Sequence, residues 1–158
     1  MNELAEKEKR GKALMAQAGV EALLLERVSS FAWYTGGAAS FVNTATDKGV
    51  ASLLITPQAK TLITNNIEAP RLRAEEELAD QGYEFVVTNW WQASQAVARL
   101  TEGLRLGADG PYPGAVNLGA EIAHLRARLL PQEVERFQDL GAAAAKPSRP
   151  PPGPCGRG

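Results

Sequence analysis

Cysteine and histidine are almost missing: Cys155 and His124 are the only ones in 158 residues. A single cysteine permits no internal disulfide and no multi-cysteine metal centre. A single histidine excludes, within the chain, any zinc site that needs two or three imidazoles. Cys155 lies among proline and glycine near the C-terminus, where nothing would orient it as a nucleophile. An excess of either charge is lacking too. The net charge is −1, so the balance favours neither nucleic acid nor an anionic membrane as a partner. No continuous apolar run approaches the length of a membrane span. Met1 to Lys12 is too charged for the apolar core of a signal peptide, so a cytoplasmic location is expected.

What is present suits one soluble domain. Hydrophobic residues are 44% and charged residues 22%, and a chain of this length can bury a core without metal or disulfide staples. The organising stretch is Glu21 to Gly37. Ala22-Leu23-Leu24-Leu25 is a short apolar run bounded by charge, the mark of a buried strand. It leads into Ser29-Ser30, then Phe31, Trp33 and Tyr34, then two glycines. In an open α/β sheet, ligands bind in the crevice beyond the carboxyl ends of the strands, which makes Phe31–Gly37 the first place to look for a site.

Before that strand, Glu3 to Gly19 reads as a helix, with Leu4, Gly11, Leu14, Met15 and Ala18 on one stripe and Lys7, Lys9, Arg10 and Lys12 on a solvated surface. Gly19 suits the C-cap. Ser29 or Ser30 is placed to cap a short helix over Phe31–Tyr34, and Ser40 to Thr46 reads as strand or extended. Val50 to Thr56 and Lys60 to Thr64 form a hairpin around Pro57-Gln58-Ala59. A helix is expected over Glu68 to Gln81 with Pro70 in its first turn, and its adjacent Glu75, Glu76 and Glu77 should fan into solvent. A strand over Tyr83 to Val87, a helix over Trp91 to Glu102 with Ala93, Ala96, Val97 and Leu100 inward, and a strand over Leu104 to Gly107 follow. A further helix starts near Ala115 or Asn117, with His124 a surface residue on it. Pro131 starts the last helix, which runs through Ala145. The fold class is therefore α/β, three-layered, with a central mixed sheet of about five or six strands. From Lys146 the chain is rich in proline and glycine and is expected to be disordered; five of its ten prolines lie between Pro147 and Pro154.

Several phrases, taken in order, resemble the N-terminal domain of the creatinase/prolidase/Xaa-Pro aminopeptidase family, whose catalytic half has the pita-bread fold. They are the helix end at Met15–Gly19, the strand Ala22–Leu25, the phrase Ser30 to Gly37, the hairpin Ala51–Ile63, the strand Leu106-Gly107-Ala108-Asp109, and Leu130 to Arg136, which looks like the opening of the catalytic domain's first helix. The resemblance covers residues 5–145. It implies a creatinase/prolidase-like domain over 1–130, the start of a linker helix to an absent catalytic domain over 131–145, and a tail over 146–158 outside the fold. In such enzymes two divalent metal ions, held by carboxylates and a histidine, activate a water. Those ligands belong to the catalytic half. No residue of this chain inherits a metal-ligand or catalytic role, and Asp47, Asp80, Asp109 and Asp139 fall on different elements.

The resemblance implies a domain that makes dimer or tetramer contacts, a homodimer being the expectation here, and covers the mouth of an active site, with a peptide as substrate only of a full-length parent. Trp33 and Tyr34 are the first candidates for a substrate-facing lip. Asn66, Glu68 and Arg71, at the next strand-to-helix junction, complete it. There Asn65 or Asn66 suits an N-cap, and Arg71 suits pairing with Glu68 or Glu75. Trp90 and Trp91 are candidates for a protein contact if exposed. A standalone α/β module that binds a protein or small ligand is the alternative. A complete small enzyme using Tyr34, Glu68 or His124 is a third reading.

Overall fold

The computed structural model describes residues 2–145, apart from the side chains of residues 93 and 94. They divide into two units, Met1–Arg128 and Leu129–Gly158. The expected disorder of the tail, and the roles of Cys155 and Ala93's side chain, lie outside the described residues.

The first unit opens with α1 (Glu3–Ala18). Asn2 Oδ1 accepts the Leu4 N–H at 3.0 Å, which satisfies one of the orphan donors of the first turn. Gly19, at φ 63°, ends the helix in the left-handed conformation that glycine adopts without penalty. The buried stripe is Gly11, Leu14 and Met15, joined by Lys7. Lys7 departs from the solvated face expected of it: its side chain is 2% exposed, with Nζ 2.6 Å from Glu3 and 5.9 Å from the centroid of Trp33. The aliphatic stem packs while the charge keeps a carboxylate and a ring face.

β1 (Ala22–Arg27) is dry on both faces. Leu23 and Leu25 join one core cluster, with Phe31, Leu53, Ile55 and Leu62; Ala22 and Leu24 join a second, with Leu54, Ile63, Ala96 and Val97. A strand buried on both sides belongs in the middle of a covered sheet. Each such leucine contributes roughly 1.5–3 kcal/mol relative to an exposed one. The sheet order is β4-β3-β2-β1-β5-β6. β2 (Lys48–Ile55) and β3 (Lys60–Asn65) form the expected hairpin, and β2 runs antiparallel to both of its neighbours. β4 (Glu84–Thr88) lies parallel to β3, and β5 (Leu106–Ala108) parallel to β1. α1, α2 (Val28–Thr35), α3 (Ala69–Ala74) and α5 (Gly119–Ala127) supply the cluster on one face; α4 (Ala93–Leu100) covers the other.

Local chemistry moved several boundaries. α2 begins earlier than expected and has no side-chain cap; Ser30 is buried inside it rather than capping it. Its entrance is managed by Asp109 from the end of β5. That carboxylate accepts the N–H groups of Glu26 and Arg27 at 3.0 and 2.9 Å, where the register of β1 shifts. Residues 40–46 form no strand, and Phe41 and Val42 point outward. Asn43 Oδ1 and Thr46 Oγ1 accept the N–H groups of Ala45 and Lys48, local bonds that compete with a sheet ladder.

The helix expected over Glu68 to Gln81 stops at Ala74. Glu76 is drawn to Arg71 and to the Ala39 N–H, Glu77 adopts φ 53°, and Leu78 turns into the core. α4 is shorter than expected at both ends, with Ala96 and Val97 inward. A two-residue strand, β6 (Val116–Asn117), pairs with β5 where a helix start was expected. A β-carbon on Gly107 would lie 2.6 Å from Leu118 Cδ1, so the glycine lets Leu118 pack against β5. The second unit contains α6 (Pro131–Ala144), with proline in its first turn and the Leu130 N–H bonded to Glu133 Oε2 at 2.8 Å.

Asp109→Ala would leave two part-buried amide donors without their acceptor, at no more than about 1–3 kcal/mol each. A urea midpoint lowered at unchanged slope is expected for Asp109→Ala, with a smaller loss for Asp109→Asn, which keeps an acceptor. Equal stability of Asp109→Ala and the parent would contradict the role given to this carboxylate.

Candidate functional site

The aromatic turn that follows β1 is where a site was first expected, and both of its rings lie inside the fold. Trp33 is 9% exposed and Tyr34 1%. Their rings meet edge to face, with centroids 6.0 Å apart. A β-carbon on Gly11 would lie 3.1 Å from Tyr34 Cε2, so α1 carries a glycine where the tyrosine ring needs room. Gly36 and Gly37, both at positive φ, then reverse the chain. The apolar gain of placing both rings inside outweighs two polar atoms, Trp33 Nε1 and Tyr34 Oη, left without hydrogen-bond partners. Burial, reinforced by the charge of Glu8, holds the Tyr34 phenol far above the ordinary tyrosine range. A neutral, enclosed phenol neither lines a surface nor exchanges a proton there.

The second predicted group is also committed to the fold. Asn65 Oδ1 accepts the N–H groups of Ile67 and Glu68 at 2.9 and 3.0 Å, closing the turn before α3; the N-cap of that helix is Glu68, with no side-chain cap, and not Asn65 or Asn66. Arg71 Nε donates to Glu68 at 3.0 Å. Its Nη1 donates to Glu76 at 3.0 Å and to the Ala39 carbonyl at 3.1 Å. The second partner of Arg71 is therefore Glu76, not Glu75. This fork pins residues 38–40 against α3, while Nη2 is buried without a partner. Asn66 is exposed, and only its main chain is engaged, with Thr88. His124 is exposed on α5, in an apolar groove with Leu14, Gln17 and Leu125. No hydrogen bond joins Tyr34, Glu68 and His124 among the described residues.

The open concave surface at the strand ends lies instead beyond β3 and β4. A cleft of about 420 Å³ is lined by Asn66, Thr88, Asn89, Gln92, Gln95 and Arg99, with Val87. Asn89 and Gln92 share one bond at 3.2 Å; among the described residues the side chains of Asn66, Gln95 and Arg99 make none. Beside it Trp90 and Trp91 stand 63% and 60% exposed, edge to face, with centroids 5.4 Å apart. Both tryptophans thus have the exposure required of the predicted contact residues. Sequence reasoning overlooked Asn89, Gln92, Gln95 and Arg99. Gln95 and Arg99 lie four residues apart on one face of α4, Asn89 and Gln92 precede the helix, and that run of polar residues was the available signal.

Among the described residues no group of three or more His, Cys, Asp or Glu is placed to hold a metal ion. No described helix is long and apolar enough to cross a membrane.

No family model and no curated protein matches the chain. Solved structures do resemble it. An Xaa-Pro dipeptidase from Bacillus anthracis is 19% identical over 86% of this chain and 31% of its own length, at a TM-score of 0.46. An Xaa-Pro aminopeptidase from Streptococcus pyogenes is 26% identical over 67% of this chain and 73% of its own, at 0.45. A prolidase from Pyrococcus horikoshii OT3 is 16% identical over 90% of this chain and 43% of its own, at 0.56. The chain thus spans about a third of the Bacillus protein and under half of the prolidase. The prolidase likeness is one of fold: the α/β architecture with a mixed six-stranded sheet matches the creatinase/prolidase N-terminal domain expected from the sequence.

Burial also raises the Tyr83 phenol, with smaller contributions from Tyr34 and Glu8. An unfolded tyrosine ionises near about pH 10. A folded-state pKa above that value means stability that is complete below about pH 10 and falls as the pH rises beyond it. In an alkaline titration, half-exposed Tyr112 should form phenolate first, and the other two only as circular dichroism is lost. Ionisation of all three near pH 10 with the fold intact would contradict the burial of Tyr34 and Tyr83.

Proposed function

We propose that the chain is the non-catalytic N-terminal domain of a longer metal-dependent hydrolase of the creatinase/prolidase/Xaa-Pro aminopeptidase family. The observation that carries the reading is the prolidase fold over 90% of the chain. The scattering of its carboxylates and sole histidine supports it. On this reading residues 1–130 are the accessory domain and residues 131–145 begin the helix that leads into the catalytic half. Two divalent metal ions would be held in that half, where they would activate water. The accessory domain serves homodimer contacts and covers the mouth of a peptide-binding site, and the location is the cytoplasm. Of the lip residues read from the sequence, Asn66 stands free to meet a ligand. Glu68 and Arg71 support its loop through their own pairing. The exposure of Trp90 and Trp91 also favours a second reading, a standalone interaction module.

The experiment reads the coding DNA downstream of residue 145 in all three frames and assays the purified chain. A carboxylate- and histidine-bearing metal domain is expected in the DNA. Supplied with Mn²⁺, Co²⁺ or Zn²⁺, the chain alone should not hydrolyse Xaa-Pro dipeptides or longer Xaa-Pro peptides. Chelator-sensitive hydrolysis by this chain, with about two metal ions bound per molecule, would overturn the accessory role. A downstream sequence lacking any such domain would favour the standalone module.

A further inference from the structure

β4 is an edge strand: it pairs with β3 on one side only. Among the described residues no turn, loop or side chain hydrogen-bonds to the main chain of Glu84, Phe85, Val86 or Val87 on its other side. Soluble proteins guard such edges with proline, inward charges, bulges or a covering segment, because an open edge recruits another strand. β4 carries no proline, and its sequence, Glu-Phe-Val-Val-Thr, has strong strand propensity. Its carboxyl end is surrounded by exposed Ile67, Val87, Trp90 and Trp91.

Charge indicates which strand fits. Val86 packs toward the α4 side of the sheet, and the two-residue period puts Glu84 and Thr88 on that same face. Arg99 of α4 lines one cleft with Thr88, at the opposite end of β4 from Glu84. Among the described residues neither Glu84 nor Arg99 takes part in an ion pair. An antiparallel pairing of two β4 strands about a two-fold axis at Val86 sets Glu84 of one copy across from Thr88 of the second, and so beside the second copy's Arg99. The two-fold repeats the match. Phe85 and Val87 meet on the other face. Each Trp90-Trp91 pair is carried past the end of its own strand, along the amino end of the second copy's β4. The same patch is thus complementary to itself, as an isologous interface requires.

We propose that β4 is the dimerisation edge, pairing antiparallel with β4 of a second copy to make one continuous sheet, with Glu84 and Arg99 matched across the axis. The inference deepens the homodimer assigned under the proposed function. Analytical ultracentrifugation of the full chain tests it. The parent should form dimers at micromolar concentration. Glu84→Arg and Arg99→Glu, both at exposed positions, should each weaken the dimer by at least about tenfold, with unchanged circular dichroism. The double reversal E84R/R99E should return the dissociation constant to within about threefold of the parent. A dimer insensitive to the single reversals would overturn the edge pairing and leave the homodimer standing. A parent still monomeric at about 100 μM would overturn the pairing and the homodimer together, without touching the test on the downstream metal domain.

Discussion

Both faces of β1 are dry, and most of the first unit follows from that constraint. Its backbone bonds must be met by strands on either side, β2 on one and β5 on the other. Its side chains must be met by layers above and below, so helices are required on both sides of the sheet. Where the strand leaves the ladder, two part-buried amides lose their strand partners; the Asp109 carboxylate takes both. The glycines at 11 and 107 are consequences of the same crowding, each clearing space for a ring or a leucine that closes the core.

That filling decides where function can reside. The crevice beyond the carboxyl ends of the central strands is the usual ligand position in an open α/β sheet. Here Asp109 closes the end of β1, and Trp33 and Tyr34 are buried in the core cluster on one face of the sheet. The polar, uncommitted side chains and the exposed tryptophans have moved to the carboxyl ends of β3 and β4, at the edge of the sheet. Among the described residues no group of three or more His, Cys, Asp or Glu is placed to hold a metal ion, and Glu68, Glu76 and Arg71 serve to fasten a loop.

Much of the fold was legible in the sequence. α1 with its glycine stop, the buried run at Ala22–Leu25, the hairpin and the proline-started last helix all carry signals that act within a few residues: capping, periodicity and turn chemistry. What was not legible depends on distant partners. Nothing local shows that Glu76 will be drawn to Arg71 and Ala39, which ends α3 early. β6 exists because β5 offers an edge beside Gly107. Lys7 looked like a solvated lysine until Trp33 was placed beneath it. The burial of Trp33 and Tyr34 was illegible for the same reason: an aromatic turn reads alike as a lip or as a plug, and the helix packed over it decides. The polar run of Asn89, Gln92, Gln95 and Arg99 was readable around the start of α4, yet its concavity depends on Asn66 from another loop.

Native-state amide hydrogen exchange tests the central position of β1 most directly. Amides of the most deeply packed strands exchange only through global unfolding. The amides of Leu23, Leu24 and Leu25 should therefore show exchange free energies equal to the unfolding free energy from urea titration, and the same denaturant dependence. Residues 41–46, with exposed side chains and local turn bonds, should exchange far faster. Exchange of Leu23–Leu25 through a partial opening, well below the global free energy and insensitive to urea, would contradict the account.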